Sequence, residues 1–142
     1  MLAACIRYLS RREHAQAELR QKLLAHGYPP ALVDKAIADA ARDGLQSDAR
    51  FAEVFARSRF AKGHGRERIR RELRQRGIET EFDSGEWDWE ALIDRVYRKK
   101  YGDAPPDSLP ERAARERFLL GRGFGRDEIR QLFRRLRDDG AN

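Results

Sequence analysis

Apolar residues recur along this chain at helical spacing and almost never alternate. Leu2, Ile6 and Leu9 share one face of a first expected helix, Leu19 and Leu23 of a second, and Val33, Ile37 and Ala40 of a third. Phe51, Val54, Phe55 and Ser58 continue the series, followed by Ile69 with Leu73. Leu92, Ile93, Val96 and Tyr97 come next, and Ile129, Leu132, Phe133 and Leu136 close it. Spacings of three and four place such positions on one side of an α-helix. No β-branched or aromatic run alternates with period two, so strands are not expected. Ser10–Glu13 and Ser108–Glu111 read as capping boxes, with Pro110 tolerated in a first turn. Ser47 and Asp48 can cap the Phe51 helix, and Pro29-Pro30 ends one element and opens the next.

One local pattern occurs three times: Leu23 with Gly27-Tyr28, Leu73 with Gly77-Ile78, and Leu119 with Gly123-Phe124. A glycine just past a helix end takes the left-handed conformation without steric cost. The apolar residue after it then folds back onto the leucine, which is the Schellman stop with its hydrophobic contact. Gly27, Gly77 and Gly123 are therefore expected to be structural helix stops. Their spacing suggests tandem three-helix units over residues 1–46, 47–86 and 87–142, with a Pro-containing linker at 102–109. Stacked units of this kind are expected to form an elongated, curved, solenoid-like body of right-handed helices. The third helix of the middle unit is expected to be shortened or irregular, because Gly85 and clustered acids fall between Ile78 and Trp89.

Composition adds constraints. The chain has 142 residues, of which 38% are charged, so a modest core carries a large polar surface. A single cysteine, Cys5, excludes a disulfide within the chain. No apolar run approaches the ~18 residues that span a bilayer. The N-terminal Met1–Ile6 runs into Arg7 without a signal-peptide apolar region, so a cytoplasmic location is expected.

The net charge is +6, and its distribution is uneven. Residues 45–77 carry 10 basic and 4 acidic groups, whereas residues 78–94 carry 7 acidic groups and no basic one. Blocks of this kind mark an interaction surface or neutralise one another across helix contacts. Arginine supplies most of the cations, which suits forked bonds to phosphates or carboxylates; codon bias accounts for the same excess.

Catalytic groups are scarce. His14, His26 and His64 share no i, i+4 spacing, and one cysteine makes no zinc pattern. Gly63-His64-Gly65 lacks the Gly-Lys-Ser/Thr of a phosphate loop; a tight bend or a flexible connection explains it. Glu86, Asp88 and Glu90 alternate with Trp87 and Trp89, which reads as a solvated side beside a packed one rather than a cation site. No enzyme activity, metal or cofactor is expected.

The basic stretch from Arg57 to Arg76 is the candidate binding element. With Ile69 and Leu73 turned inward, Arg66, Arg70, Arg71 and Arg74 are expected outside, joined by Arg59 and Lys62. Such a row can meet phosphates or a carboxylate-rich protein groove. Glu67 with Arg71, and Glu72 with Arg76, could quench part of it. Arg98, Lys99 and Lys100, with Arg95, form a second cluster near a helix C-terminus, where the dipole alone favours cations.

Several strings together resemble the RecX family. They are Ser47–Ala52, Arg57-Ser58-Arg59, Lys62 through Leu73, and Gly77-Ile78, with Tyr8–His14, Glu18–Leu23, Arg117–Phe124 and Glu128-Ile129 outside the middle block. The resemblance spans nearly the whole chain. The stretch between Ile78 and Asp88 is shorter than the family pattern. The resemblance implies tandem three-helix repeats and a bacterial cytoplasmic regulator, acting as a monomer, that binds the RecA recombinase filament and restrains its growth, strand exchange and ATP hydrolysis. It implies no catalytic residues. Single- or double-stranded DNA is a further expected partner, and a direct DNA-binding regulator without a recombinase is the alternative.

Overall fold

The computed structural model describes residues 2–83 and 85–141, so Met1 of the N-terminal string and Ser84 of the expected loop lie outside the described residues. Eight helices and no strand occur among those residues: α1 Ala3–Arg11, α2 Gln16–Ala25, α3 Pro30–Arg42, α4 Asp48–Ala61, α5 Arg66–Gln75, α6 Trp89–Tyr101, α7 Leu109–Arg122 and α8 Arg126–Ala141. The chain forms two compact units, one of residues 1–55 with 72–83 and one of 56–71 with 84–142. Helices α4 and α5 each contribute residues to both.

The first unit is built around Cys5, Leu19, Leu23, Val33, Ile37 and Ala40, with Leu2, Tyr8, Leu9, Leu24 and Tyr28 packed against them. Two positions of the apolar pattern face solvent instead: Ile6 is 47% exposed and Val54 is 60% exposed. In α1 the inward arc is centred on the small residues Ala4 and Cys5. In α4 it is centred on Phe51, Ala52 and Ala56. Both arcs are rotated toward small side chains that permit close packing, which a count of large apolar residues does not register.

Residues 10–13 are not a capping box. Ser10 lies inside α1 and its hydroxyl donates to the Arg7 carbonyl at 2.8 Å. Helix α2 starts at Gln16 behind Ala15, which has no capping side chain. Asp48 takes that role, accepting from Gln16 N–H at 2.9 Å and from Gln46 Nε2 at 2.9 Å. Buried Gln46 also donates to the His14 carbonyl at 3.1 Å. Ser47 caps α4 itself, its hydroxyl accepting from Arg50 N–H at 3.1 Å. At α7 the Ser108 hydroxyl accepts from Glu111 N–H at 3.2 Å, while Glu111 reaches back one residue further, to Asp107 N–H at 2.7 Å.

Glycine corners close the helices. At Gly77, Ile78 N–H reaches the Leu73 carbonyl and Gly77 N–H the Arg74 carbonyl, both at 2.9 Å. Gly123 repeats this with Leu119 and Leu120, and Gly27 N–H donates to Leu24 at 2.9 Å. The same paired bonds occur at Gly44, with Ala40 and Ala41, and at Gly63, with Arg59 and Phe60. All five glycines have φ between 77° and 102°.

In the second unit, Ile69, Tyr97, Leu119, Phe124, Leu132, Phe133 and Leu136 are fully buried. Gly65 and Gly123 touch backbone to backbone: Gly65 N–H donates to the Arg122 carbonyl at 2.8 Å and Glu67 N–H to the Gly123 carbonyl at 3.0 Å. A Cβ on Gly65 would stand 2.5 Å from the Gly123 carbonyl. The Gly63–Gly65 segment is therefore a tight bend held by a neighbour, not a flexible connection. The 102–108 linker is pinned as well. Tyr97 hydroxyl donates to the Ala104 carbonyl at 2.6 Å and accepts from Arg115 at 2.6 Å. Residues 78–83 and 85–88 form no helix, and α6 begins at Trp89 behind the capping residue Asp88, whose carboxylate accepts from Ala91 N–H at 2.9 Å.

Candidate partner-binding surface

Three helix ends of the second unit supply cations to one groove. Lys62 follows α4, Lys99 and Lys100 lie in the last turn of α6, and Arg122 ends α7. With Arg95 they line a groove of about 440 Å³ together with the apolar Val96 and Phe118. No carboxylate lines it among the described residues. The Lys100 ammonium sits 3.9 Å from the Phe118 ring centre and the Arg122 guanidinium 5.3 Å from it, so the ring holds both cations by its negative face.

Helix ends explain why the cations gather. The last carbonyls of a helix lack intrahelical donors and carry partial negative charge. Arg122 donates to the Lys62 carbonyl at 3.2 Å, and Arg95 approaches the Phe60 and Ala61 carbonyls at 3.5 Å. These carbonyls orient the guanidinium groups without cancelling their formal charge. The groove can therefore hold an anion, with phosphate and carboxylate as the matching chemistries.

The expected row on α5 is less uniform. Arg66 is half-buried, its guanidinium 5.1 Å from the Trp89 ring centre, rather than pointing outward. Arg70 is half-buried and pairs with Glu67 at 3.5 Å, so Glu67 reaches Arg70 and not Arg71. Arg76 lies 4.5 Å from the Phe55 ring centre and bonds the Glu72 carbonyl at 3.0 Å, not the Glu72 carboxylate. Arg71 and Arg74 are exposed, and Arg59 is half-buried. Arg74 belongs to the first unit, Arg59, Arg66, Arg70 and Arg71 to the second.

Arg98 does not face the groove's set of cations. It pairs with Asp103 at 2.7 Å and Asp139 at 3.4 Å, and the Asp103 carboxylate raises the guanidinium's affinity for its proton further. Of the second cluster, the structure brings Lys99 and Lys100 together with Lys62, and adds Arg95 and Arg122. Arg95 and Lys99 share a helix face by their i, i+4 spacing. Arg122 stands before the corner glycine as Lys62 does before Gly63. Both signals are visible in the chain, but nothing local shows that these positions meet.

Family models describing the first, second and third three-helix domains of RecX match residues 2–39, 47–82 and 88–133. The chain belongs to the RecX family. A regulatory protein RecX of Acidithiobacillus ferrooxidans is 42% identical over 130 residues, covering 92% of this chain and 86% of that protein. Those of Halorhodospira halophila and Serratia proteamaculans are 40% and 33% identical, covering 89% and 94% of this chain and 82% and 96% of the relatives. In this RecX-family chain, the matched second domain contains the Lys62–Gly65 corner, and the matched third domain contains α6 and α7. No helix among the described residues is long and apolar enough to cross a membrane.

Proposed function

We propose that this protein binds the RecA recombinase filament and restrains its ATP hydrolysis and strand exchange, as a monomer in the bacterial cytoplasm. Three tandem repeats, over 1–46, 47–86 and 87–142, present the contact surface. The observation that carries this reading is the carboxylate-free groove of Lys62, Arg95, Lys99, Lys100 and Arg122 in a member of a regulatory family. Exposed Arg71 and Arg74, with half-buried Arg59, Arg66 and Arg70, extend the basic character along α4 and α5. Such cations steer association with an acidic or phosphate-bearing surface. Arg98, held by Asp103 and Asp139, contributes least.

The test is a recombinase ATPase and filament-length assay with the purified protein and with Lys62→Glu/Lys99→Glu/Lys100→Glu. Strong inhibition by the native chain, lost in the triple variant, is expected. A native chain with no effect on the recombinase would leave the second reading, direct binding to DNA, which the same groove favours because its cations suit phosphates.

A further inference from the structure

The first unit carries a small pocket of its own, about 210 Å³, lined by Ala4, Arg7, Tyr8, Arg11, His26 and Tyr28. It shares no residue with the basic groove, which belongs to the second unit. Arg7 and Arg11 stand one turn apart on α1, and both are exposed. Neither pairs with a carboxylate among the described residues, although the charges beside them are matched: Arg12 with Glu18 at 2.6 Å, and Glu13 with Arg50 at 2.8 Å. Like charges at i, i+4 destabilise a helix. The helix dipole favours Arg11 in the last turn but gives no reason for Arg7, a turn earlier.

The rest of the lining adds donors. The Tyr8 hydroxyl lies 2.6 Å from His26 Nε2. With Nε2 protonated, His26 donates to the Tyr8 oxygen and the phenol proton is left for a ligand. The Lys22 ammonium, 5.1 Å from the Tyr8 ring centre, adds a third positive charge behind the phenol. Tyr8 and Tyr28 both pack against the core of the unit, which fixes the frame. No carboxylate lines the pocket among the described residues.

We infer that this pocket binds a phosphoryl dianion, as inorganic phosphate or a small free phosphomonoester, between Arg7 and Arg11 with the Tyr8–His26 pair as further donors. A carboxylate is planar, carries one charge and is satisfied by a single guanidinium fork. Two unpaired guanidiniums with phenol and imidazole donors instead suit a doubly charged group with three free oxygens. Pockets that enclose drug-sized ligands begin at roughly 300 Å³, so this one holds an ion or a small headgroup rather than a stretch of polymer. The inference is independent of the groove and of any recombinase.

The test titrates the full chain with inorganic phosphate, phenyl phosphate, dimethyl phosphate and acetate at constant ionic strength, read by calorimetry and by the melting midpoint. Phosphate and phenyl phosphate are expected to bind and raise the midpoint, and the tighter of the two identifies the free ion or the ester as the better ligand. Arg7→Gln/Arg11→Gln should weaken both about tenfold or more, with helical content and melting in chloride unchanged or improved. Tyr8→Phe should weaken them less. Phosphate also stabilises folded proteins by exclusion from their surfaces, but that effect is the same in native chain and variant. Lys99→Glu/Lys100→Glu, in the groove, should bind phosphate as the native chain does. If Arg7→Gln/Arg11→Gln loses helical content, Arg7→Lys/Arg11→Lys keeps the charges and removes the forks, and weaker binding is again expected. Undiminished binding in the Arg7/Arg11 variants, or acetate or dimethyl phosphate binding as tightly as phosphate, overturns the inference.

Discussion

The Asp48 carboxylate caps the helix that begins at Gln16, accepting its N–H at 2.9 Å from 32 residues further along the chain. It also accepts from Gln46 Nε2 at 2.9 Å, and Gln46 receives Gln16 Nε2 at 3.1 Å. The entry to α2 and the entry to α4 are thereby one polar cluster. Asp48→Ala removes the cap and leaves the buried Gln46 amide short of a partner. A loss of about 1–2 kcal/mol is expected from the denaturation midpoint. Ser10→Ala, at the position that mimics a cap in the sequence, should change stability by less than about 0.5 kcal/mol.

Gly65→Ala forces a side chain against the Gly123 carbonyl, 2.5 Å from where its Cβ would sit. Because the obstacle is backbone, both segments must separate and the paired bonds at 2.8 and 3.0 Å weaken with them. A destabilisation of at least about 2 kcal/mol is expected, read by thermal or urea unfolding. Gly121→Ala is the contrasting control. Gly121 lies within α7 with open space around its position, so the substitution should stabilise by about 0.5–1 kcal/mol.

Burial pushes the His14 imidazole below its ordinary 6.5, and the nearby Arg12 and Lys22 charges act in the same direction. The ring sits between the Arg12 carbonyl at 3.0 Å from Nδ1 and the Lys22 ammonium at 3.0 Å from Nε2. A neutral ring with its proton on Nδ1 satisfies both, donating to the carbonyl and accepting from the ammonium. The unfolded chain therefore binds the proton more readily than the folded one, so stability is full above pH ~6.5 and falls as pH drops below it, until the folded-state ring also protonates. Denaturation midpoints measured from pH 7.5 to 5 should decline, and His14→Gln should flatten that part of the profile.

Lys99→Glu/Lys100→Glu and Arg98→Glu separate binding from stability on adjacent residues. Lys99 and Lys100 are exposed, so their reversal should leave circular dichroism and melting nearly unchanged while recombinase inhibition falls strongly. Arg98→Glu places a carboxylate beside Asp103 and Asp139 and should lower stability by about 0.5–1 kcal/mol with inhibition retained. Equal loss of inhibition in both variants would move the contact surface toward Arg98.

The helices and their glycine-closed ends were legible in the chain because both depend on neighbours a few residues away. Apolar spacing places Leu92, Ile93, Val96 and Tyr97 on one face wherever the helix lies, and an apolar residue after Gly77 or Gly123 can fold back only onto its own helix. The corners at Gly44 and Gly63 escape the same reading. Their partner positions are Ala40 with exposed Leu45, and Arg59 with His64, so no buried apolar pair announces them. Tertiary structure alone decided that Asp48 caps α2, that Gly65 needs no side chain because Gly123 lies against it, and that Arg66 rests on Trp89. It also decided which cations meet. Lys62, Lys99 and Arg122 are far apart along the chain, and they share a groove only because the ends of α4, α6 and α7 converge there, where unsatisfied carbonyls hold positive charge.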